Sequence, residues 1–207
     1  MPAAPPDRIL RTRVPALFPE RGPVRVLLVG EAPGPRGADQ SGIPFWGDRS
    51  GKLVYRALVE RGLARVPEEA WEMWDGAKLK EAVLAPSLSG AALTNAWPSC
   101  PTEDGRSFRS PRDAELRSAD NLARLGDEIA RAAARCPGTL RVIAFGKRAA
   151  WLLARLEGAP AIAIHELPHP SAQGLLGAAP NQGRGLRLAD LQEAWRARLL
   201  ALLDGEG

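Results

Sequence analysis

The chain has 207 residues and a mass of 22.2 kDa, with 45% hydrophobic residues, 25% charged residues and a formal net charge of +4. This length and composition are typical of one globular domain with a buried core, and they exclude a disordered tail, a collagen-like fibre and a coiled coil. We expect no transmembrane helix, because no apolar run approaches the roughly 20 residues that span a bilayer, and no secretory signal, because the N-terminal residues contain no apolar stretch.

The N-terminal residues are rich in proline and arginine and show no periodicity, so we predict an arm over 1–23 and a single domain over 24–207. Within the domain, short apolar runs predict strands at 25–30, 91–97, 140–146 and 161–167. Other segments predict helices at 51–61, 67–84, 111–135, 147–156 and 188–203. Strands that alternate with helices indicate an α/β fold, and we predict a three-layer α/β/α sandwich around a central four-stranded parallel sheet.

Ligands of such folds bind beyond the carboxyl ends of the strands. Three of the connections there are long and rich in Gly, Pro and polar residues: 30–50, 95–110 and 168–187. Loops of this length in a compact domain are usually functional. The basic surplus lies in the first and last thirds of the chain, which hold two of these loops. This distribution suits a polyanionic partner but does not identify one.

The first loop contains acidic and aromatic candidates. Glu31 directly follows the first strand, and a carboxylate in a loop at that place is typical of a functional group. Asp48 lies just before the first helix, so it is either a helix cap or a functional acid. Phe45 and Trp46 either pack beneath the loop or provide a stacking surface for a flat ligand.

Three further polar residues lie within or just after later strands. Asn95 is near the end of the second strand, where its amide either ties loops together or faces the edge of a base. His165 lies inside the fourth strand, which favours a structural role. His169 lies between two prolines at the start of the last loop, where a fixed ring can hydrogen-bond charge that develops on a leaving group.

Five segments, taken in order, resemble the motifs of the uracil-DNA glycosylase superfamily. They are GEAPG (30–34), PFWGDRSG (44–51), LTNAWPSCP (93–101), VIAFGKRAAWLL (142–153) and LPHPS (167–171). The resemblance covers about 24–188, nearly the whole domain. GEAPG is similar to the first motif of family 4, whereas GDRSG (47–51) is more similar to family 5, so the chain combines features of both.

The resemblance implies three base-binding residues. Phe45 corresponds to the ring that stacks on the flipped uracil, and Asn95 to the amide that recognises the uracil edge. Ala32 lies where the best-known family of the superfamily has its catalytic aspartate.

The resemblance also implies three catalytic residues. His169 corresponds to the histidine that stabilises uracil O2. Glu31 is the acidic position characteristic of family 4, and Asp48 matches the aspartate proposed to position water in family 5. Two candidates for the catalytic acid therefore remain.

The last loop is expected to contact DNA. Ser171, Arg184 and Arg187 are candidates for phosphate contacts. Leu175 and Leu176 either fill the gap that a flipped base leaves or pack on their own domain.

Families 4 and 5 typically hold an iron–sulfur cluster on four cysteines. This chain has two, Cys100 and Cys136, and Ser118 stands about where a later ligand is expected. Two thiols are too few for such a cluster, so we expect no cofactor and no metal. The segment 100–112 contains no histidine, so we do not expect the covalent uracil-trapping chemistry of one branch of the superfamily.

The resulting prediction is a monofunctional DNA N-glycosylase. It would flip uracil, or another deaminated base, out of DNA and hydrolyse the N-glycosidic bond to leave an abasic site. The alternatives are a damaged-DNA-binding module of the same fold with weak or no activity, and a hydrolase of free nucleosides. We expect a monomer in the bacterial cytoplasm, associated with the nucleoid, whose partner is DNA and not a membrane.

Overall fold

The structure is a computed structural model that describes residues 8–156 and 162–205. Its strands are β1 (Val24–Gly30), β2 (Ala64–Arg65), β3 (Ser87–Leu88), β4 (Gly90–Asn95), β5 (Leu140–Phe145) and β6 (Ile162–Leu167). Four of them form a parallel sheet in the order β4-β1-β5-β6, whereas β2 and β3 form a separate antiparallel pair. The predicted four-stranded parallel sheet is confirmed.

The helices are α1 (Ala38–Ser41), α2 (Arg49–Glu60), α3 (Glu68–Met73), α4 (Gly76–Glu81), α5 (Asp113–Leu116), α6 (Ala119–Ala133), α7 (Lys147–Leu153), α8 (Ala172–Ala178) and α9 (Leu188–Asp204), with a 3-10 turn at Pro180–Gly183. Successive side chains of β1 point to opposite faces of the sheet. Val26 and Leu28 pack with buried residues of α2 and α9, whereas Leu27 and Val29 pack with buried residues of α6 and α7. The predicted three-layer α/β/α sandwich is therefore confirmed.

Two predicted helices are each divided in the structure. The prediction of one helix over 67–84 is wrong, because the backbone is extended at Asp75, whose carboxylate accepts a hydrogen bond from the Lys78 N–H at the start of α4. The prediction of one helix over 111–135 is wrong, because Ser118 leaves the helical conformation between α5 and α6. In both places a polar side chain bonds the nearby backbone and so competes with a continuous helix.

The two edges of the sheet differ. On β4, Leu93 exchanges backbone hydrogen bonds of 2.8 and 2.9 Å with Leu17 of the N-terminal segment, which covers that edge. On the other side β6 pairs only with β5 among the described residues, and Ile164 and Glu166 are exposed. Residue 161, where this strand was expected to begin, lies outside the described residues.

The parallel arrangement brings the carboxyl ends of the strands to one edge of the sheet. Gly30 and Asn95 are paired in register at the ends of β1 and β4. The indole nitrogen of Trp195, on α9, donates to the carbonyl oxygen of Pro168 at 2.8 Å, which fixes the start of the loop after β6. No helix in the ranges 8–156 and 162–205 is long and apolar enough to cross a membrane.

Candidate active site

A cavity of about 400 Å³ opens at the carboxyl ends of the strands. This volume lies within the usual range of small-ligand pockets, about 300–1,000 Å³. The cavity is lined by all the residues that the resemblance assigns to base binding and catalysis: Glu31, Ala32, Phe45, Asp48, Asn95 and His169. The fold therefore brings together side chains that are up to 138 positions apart in the sequence, from Glu31 to His169.

Phe45 and Asn95 meet over Gly30 in the wall of this cavity. A side chain at Gly30 would place its Cβ 2.5 Å from Asn95 Oδ1 and 2.7 Å from Phe45 Cε1, so only glycine leaves room for both. Phe45 is 6% exposed and has a φ of 62°, a left-handed conformation that phenylalanine rarely adopts. Strained backbone of this kind clusters at functional sites. The ring of Phe145 supports the Phe45 ring in a T-shaped contact, with centroids 5.7 Å apart.

The amide of Asn95 is buried and incompletely hydrogen-bonded. Asn95 is 2% exposed, and its Nδ2 has no hydrogen-bond partner among the residues that the structure describes. A buried donor without a partner costs about 1–3 kcal/mol. The backbone of Asn95, in contrast to its side chain, is held by a hydrogen bond, because Arg124 donates to the Asn95 carbonyl oxygen at 3.0 Å. The Asn95 side-chain amide is therefore available to a ligand in the cavity.

Asp48 precedes α2, but its carboxylate does not cap that helix. Its Oδ2 instead accepts a hydrogen bond from the Ala38 N–H at 3.2 Å. A Cβ at Gly34 would lie 2.1 Å from Asp48 Oδ1, and a Cβ at Gly37 would lie 2.4 Å from its Cγ, so both glycines are needed for this close approach. Burial raises the pKa of Asp48 to about 6, although backbone N–H groups of the same loop lower it. Asp48 therefore titrates near neutral pH, as general acids and bases do.

Glu31 lies beside an arginine that the sequence analysis did not single out. Its Oε1 is 3.8 Å from Nε of Arg148, on α7, and neither atom has a hydrogen-bond partner in the described ranges. The same guanidinium donates to Asp113 Oδ1 at 2.6 Å. Glu31 thus forms an ion pair without a direct hydrogen bond, and its Oε1 remains an acceptor for a water or a ligand.

His169 is held in one orientation. The Ser171 N–H donates to Nδ1 of His169 at 3.3 Å, so the neutral ring carries its proton on Nε2. Burial lowers the pKa of His169, which keeps the ring neutral at neutral pH. A Cβ at Gly174 would lie 2.4 Å from the His169 carbonyl oxygen, so this glycine permits the tight turn. His169 therefore offers the cavity a neutral N–H donor.

The chain is similar to a known protein family over nearly all of its α/β domain. Residues 19–197 match the family model of the uracil DNA glycosylase superfamily. The chain belongs to this superfamily. The resemblance expected from the sequence is confirmed, and the chain is thus a member of a family of DNA glycosylases.

Two curated relatives match the chain over shorter stretches. The type-5 uracil-DNA glycosylase of Thermus thermophilus is 50% identical over 44 residues, which are 21% of this chain and 20% of the relative. The type-5 uracil-DNA glycosylase of Mycobacterium leprae is 49% identical over 43 residues, 21% of this chain and 19% of the relative. The matched stretches span about a fifth of the length of these relatives.

The iron–sulfur cluster of uracil-DNA glycosylase families 4 and 5 does not fit the thiols of this chain, which number two. Cys100 is buried, and burial, with smaller contributions from two nearby carboxylates, raises its pKa to about 12. The hydroxyl of Ser118 donates to a backbone carbonyl of α5 at 2.9 Å. Among the described residues, no group of three or more His, Cys, Asp or Glu side chains is arranged to hold a metal ion.

The DNA-contact candidates of this superfamily member occupy different environments. Ser171 lines the cavity, but its hydroxyl accepts from the Gly174 N–H at 3.1 Å and so caps α8. Leu175 is 4% exposed and packs in the core, which favours the interpretation that it packs on its own domain. Leu176 is half-buried. Arg184 and Arg187 are both exposed.

The sequence did not point to several residues that line this cavity. Phe108 and Ser110 come from the loop after β4, and Gln173 comes from α8. The length of the loop after β4 predicted a functional role, but no motif distinguished Phe108 within it. His165, on β6, does not line the cavity.

Proposed function

We propose that the protein is a DNA N-glycosylase that removes uracil from DNA. The observation that carries this proposal is the Asn95 amide, whose Nδ2 has no partner in the described part of the chain, beside the ring of Phe45 in a cavity that His169 and two carboxylates also line. Superfamily membership supports it, and so do the names of the two relatives, both type-5 uracil-DNA glycosylases.

The free amide accounts for the choice of base. In the proposed complex, uracil is turned out of the DNA, because a base within a duplex cannot enter a cavity, and its ring stacks on Phe45. Asn95 then donates from Nδ2 to uracil O4 and accepts at Oδ1 from N3–H. Cytosine has an amino group at C4 and no proton on N3, so it would set donor against donor and acceptor against acceptor. Such unpaired buried groups disfavour binding.

The reaction is hydrolysis of the bond between C1′ of deoxyribose and N1 of uracil. Water attacks C1′, the electron pair of the breaking bond passes to the base, and uracil leaves as an anion that is then protonated. The Nε2–H of His169 donates to O2, where negative charge accumulates. A hydroxyl remains on C1′, and the product is an abasic site.

The two carboxylates are given separate roles. We assign the orientation of the attacking water to Asp48, because its pKa of about 6 allows it to accept a proton at neutral pH. We assign stabilisation of the positive charge on the sugar to Glu31, whose Oε1 is unpartnered among the described residues. The ion pair with Arg148 then keeps Glu31 at the cavity wall.

A water nucleophile implies a monofunctional glycosylase. An enzyme that also cuts the strand through a covalent intermediate needs an amine nucleophile. The lysines of this chain are Lys52, Lys78, Lys80 and Lys147, and none of them lines the cavity. This placement supports hydrolysis alone.

We assign the proposed DNA contacts to the segment that follows β6. Ser171, Arg184 and Arg187 would contact phosphates, which fix position without recognising sequence. Leu176 is the remaining candidate to fill the gap in the stack, since Leu175 is in the core. We further propose that the protein acts as a monomer on nucleoid DNA in the bacterial cytoplasm.

Alkaline scission of a damaged oligonucleotide tests the proposed function. An end-labelled oligonucleotide with one uracil is incubated with the protein and then treated with alkali, which cuts at abasic sites. Hypoxanthine, xanthine and thymine replace uracil in parallel reactions, in single and double strands, and His169→Ala purified in the same way controls for contaminating enzymes. We expect alkali-dependent scission at uracil by the wild type. Binding without scission would favour the damaged-DNA-binding module, and cleavage of free deoxyuridine alone would favour the nucleoside hydrolase.

A further inference from the structure

Phe108 is an exposed aromatic side chain at the mouth of the cavity. It is 48% exposed, and the other large apolar side chains that are exposed in the described part of the chain are aliphatic: Leu10, Val59, Val83, Ile164 and Leu186. Phe108 also lines the cavity that contains Phe45 and Asn95. The cavity thus has one phenyl ring buried in its wall and a second at its opening.

The loop that carries Phe108 is held in place by hydrogen bonds. Thr102 and Phe108 form an antiparallel backbone bridge. Between them, the carboxylate of Asp104 accepts from the N–H groups of Arg106 and Ser107 at 2.8 and 2.7 Å, and the Ile9 N–H donates to the Gly105 carbonyl oxygen at 2.7 Å. None of these bonds uses the Phe108 side chain, so the loop presents the ring without depending on it.

The next residue is fixed as well. Arg109 donates to both carboxylate oxygens of Glu115 at 2.7 and 2.6 Å. A bidentate pair of this kind has a defined geometry. Phe108 therefore lies between two fixed points, Thr102 and Arg109, and its ring is exposed because of the loop conformation and not because the segment lacks contacts.

We propose that Phe108 packs against the extruded nucleotide and holds it in the cavity, so that it is a binding and positioning residue for the DNA substrate. This inference rests on the proposed function, because it takes the ligand to be a nucleotide of DNA. A nucleotide whose base reaches Phe45 and Asn95 must pass the cavity opening, where its base or sugar covers the exposed ring. Contact of a nucleobase with an aromatic side chain is tolerant of sequence, which suits an enzyme that must find a lesion in any context.

The test is binding of a single-stranded oligonucleotide that contains 2′-fluoro-deoxyuridine, whose fluorine disfavours positive charge at C1′ and so slows cleavage. A 2-aminopurine next to it reports the loss of stacking when the nucleotide is extruded. Phe108→Ala, Phe108→Leu and Phe108→Tyr are compared with wild type for Kd and for fluorescence at saturation. Val59→Ala, a comparably exposed apolar side chain on α2 that does not line the cavity, is the matched control.

We expect Phe108→Ala to raise Kd by about 5- to 150-fold, the range for loss of one base–aromatic contact. We also expect it to lower the 2-aminopurine signal at saturation. Phe108→Tyr should retain wild-type values, Phe108→Leu should be intermediate, and Val59→Ala should have no effect. An unchanged Kd and signal in Phe108→Ala would overturn the inference, and so would a wild type that does not bind the oligonucleotide.

Failure of the proposed function has a different signature. If the wild type binds the fluorinated oligonucleotide but does not cut its uracil counterpart, the glycosylase activity is refuted, and the Kd values of the Phe108 variants still decide the role of the ring. If the wild type cuts uracil DNA and Phe108→Ala has the wild-type Kd, only the role of Phe108 is refuted.

Discussion

The interior of the cavity and its rim are built differently. In the interior, Phe45, Asn95 and His169 are held by packing, backbone hydrogen bonds and glycines that permit close approach. The rim, here Phe108 at the cavity mouth together with Arg184 and Arg187 of the segment after β6, is exposed. A polar group that is fixed before the reaction stabilises charge as it develops, whereas an exposed group contributes mainly to binding. Interior substitutions should therefore lower kcat, and rim substitutions should raise KM.

The largest expected effect is that of His169→Ala. Removal of one preorganised donor to developing charge typically costs about 10²–10³-fold in kcat. We expect a loss of this size in uracil cleavage with little change in KM, measured by single-turnover and steady-state kinetics. His165→Ala is the matched control, because His165 lies outside the cavity. Equal activities of the two variants would remove His169 from the mechanism.

Gly30→Ala tests whether the interior depends on close packing. Its new Cβ would meet both the Asn95 amide and the Phe45 ring at less than 3 Å, so one of them must move. Misplacement by about 1 Å can cost on the order of 10²-fold in rate, and we expect kcat to fall by at least tenfold. Gly126→Ala, on α6, is the control, because its Cβ would have no neighbour within 4 Å. A fully active Gly30→Ala would show that the interior is not tightly constrained.

The pH dependence of cleavage tests the role of Asp48. Because burial raises the pKa of Asp48 to about 6, its ionised form appears as pH rises through 6. We expect kcat to fall about tenfold per pH unit below 6 and to be constant above 7, if the ionised carboxylate orients the water. Asp48→Asn should be slow and should lose this dependence, whereas Glu31→Gln should retain it. The same pH dependence in Asp48→Asn as in wild type would assign the titration to another group.

The smallest expected effects are those of the rim arginines. Arg184→Ala should weaken binding of abasic DNA by a few-fold and lower the slope of log Kd against log salt by about one, as expected for one lost phosphate contact. Arg187 also bonds Asp190 at 2.9 and 2.8 Å, so Arg187→Ala should have a smaller effect. If Arg184→Ala lowers kcat and leaves the salt dependence unchanged, Arg184 acts in the chemical step and does not bind a phosphate.

Much of the fold was predictable, because short apolar runs and apolar helix faces are local features of the sequence. The order of the strands in the sheet was not, because it depends on which faces pack together. The two divided helices show a related limit: Asp75 and Ser118 each bond the local backbone, and a residue of either type is also compatible with a helical pattern.

The interior of the site was predictable and the rim was not. Glu31, Asn95 and His169 lie at or just after strand ends whose positions the pattern defines, so their convergence in one cavity was expected. The burial of Leu175, the ion pair of Arg148 with Glu31 and the exposure of Phe108 depend on how loops pack against distant elements. No periodicity or spacing in the sequence carries that information.

Release of the free base is the most direct test of the central claim that this cavity hydrolyses the uracil N-glycosidic bond. Free uracil and abasic sites are quantified together in a single-turnover reaction with a single-stranded uracil oligonucleotide. We predict that the wild type releases one uracil for each abasic site formed, and that His169→Ala releases it at least 10²-fold more slowly. Tight binding of the oligonucleotide by the wild type without release of uracil would contradict the account.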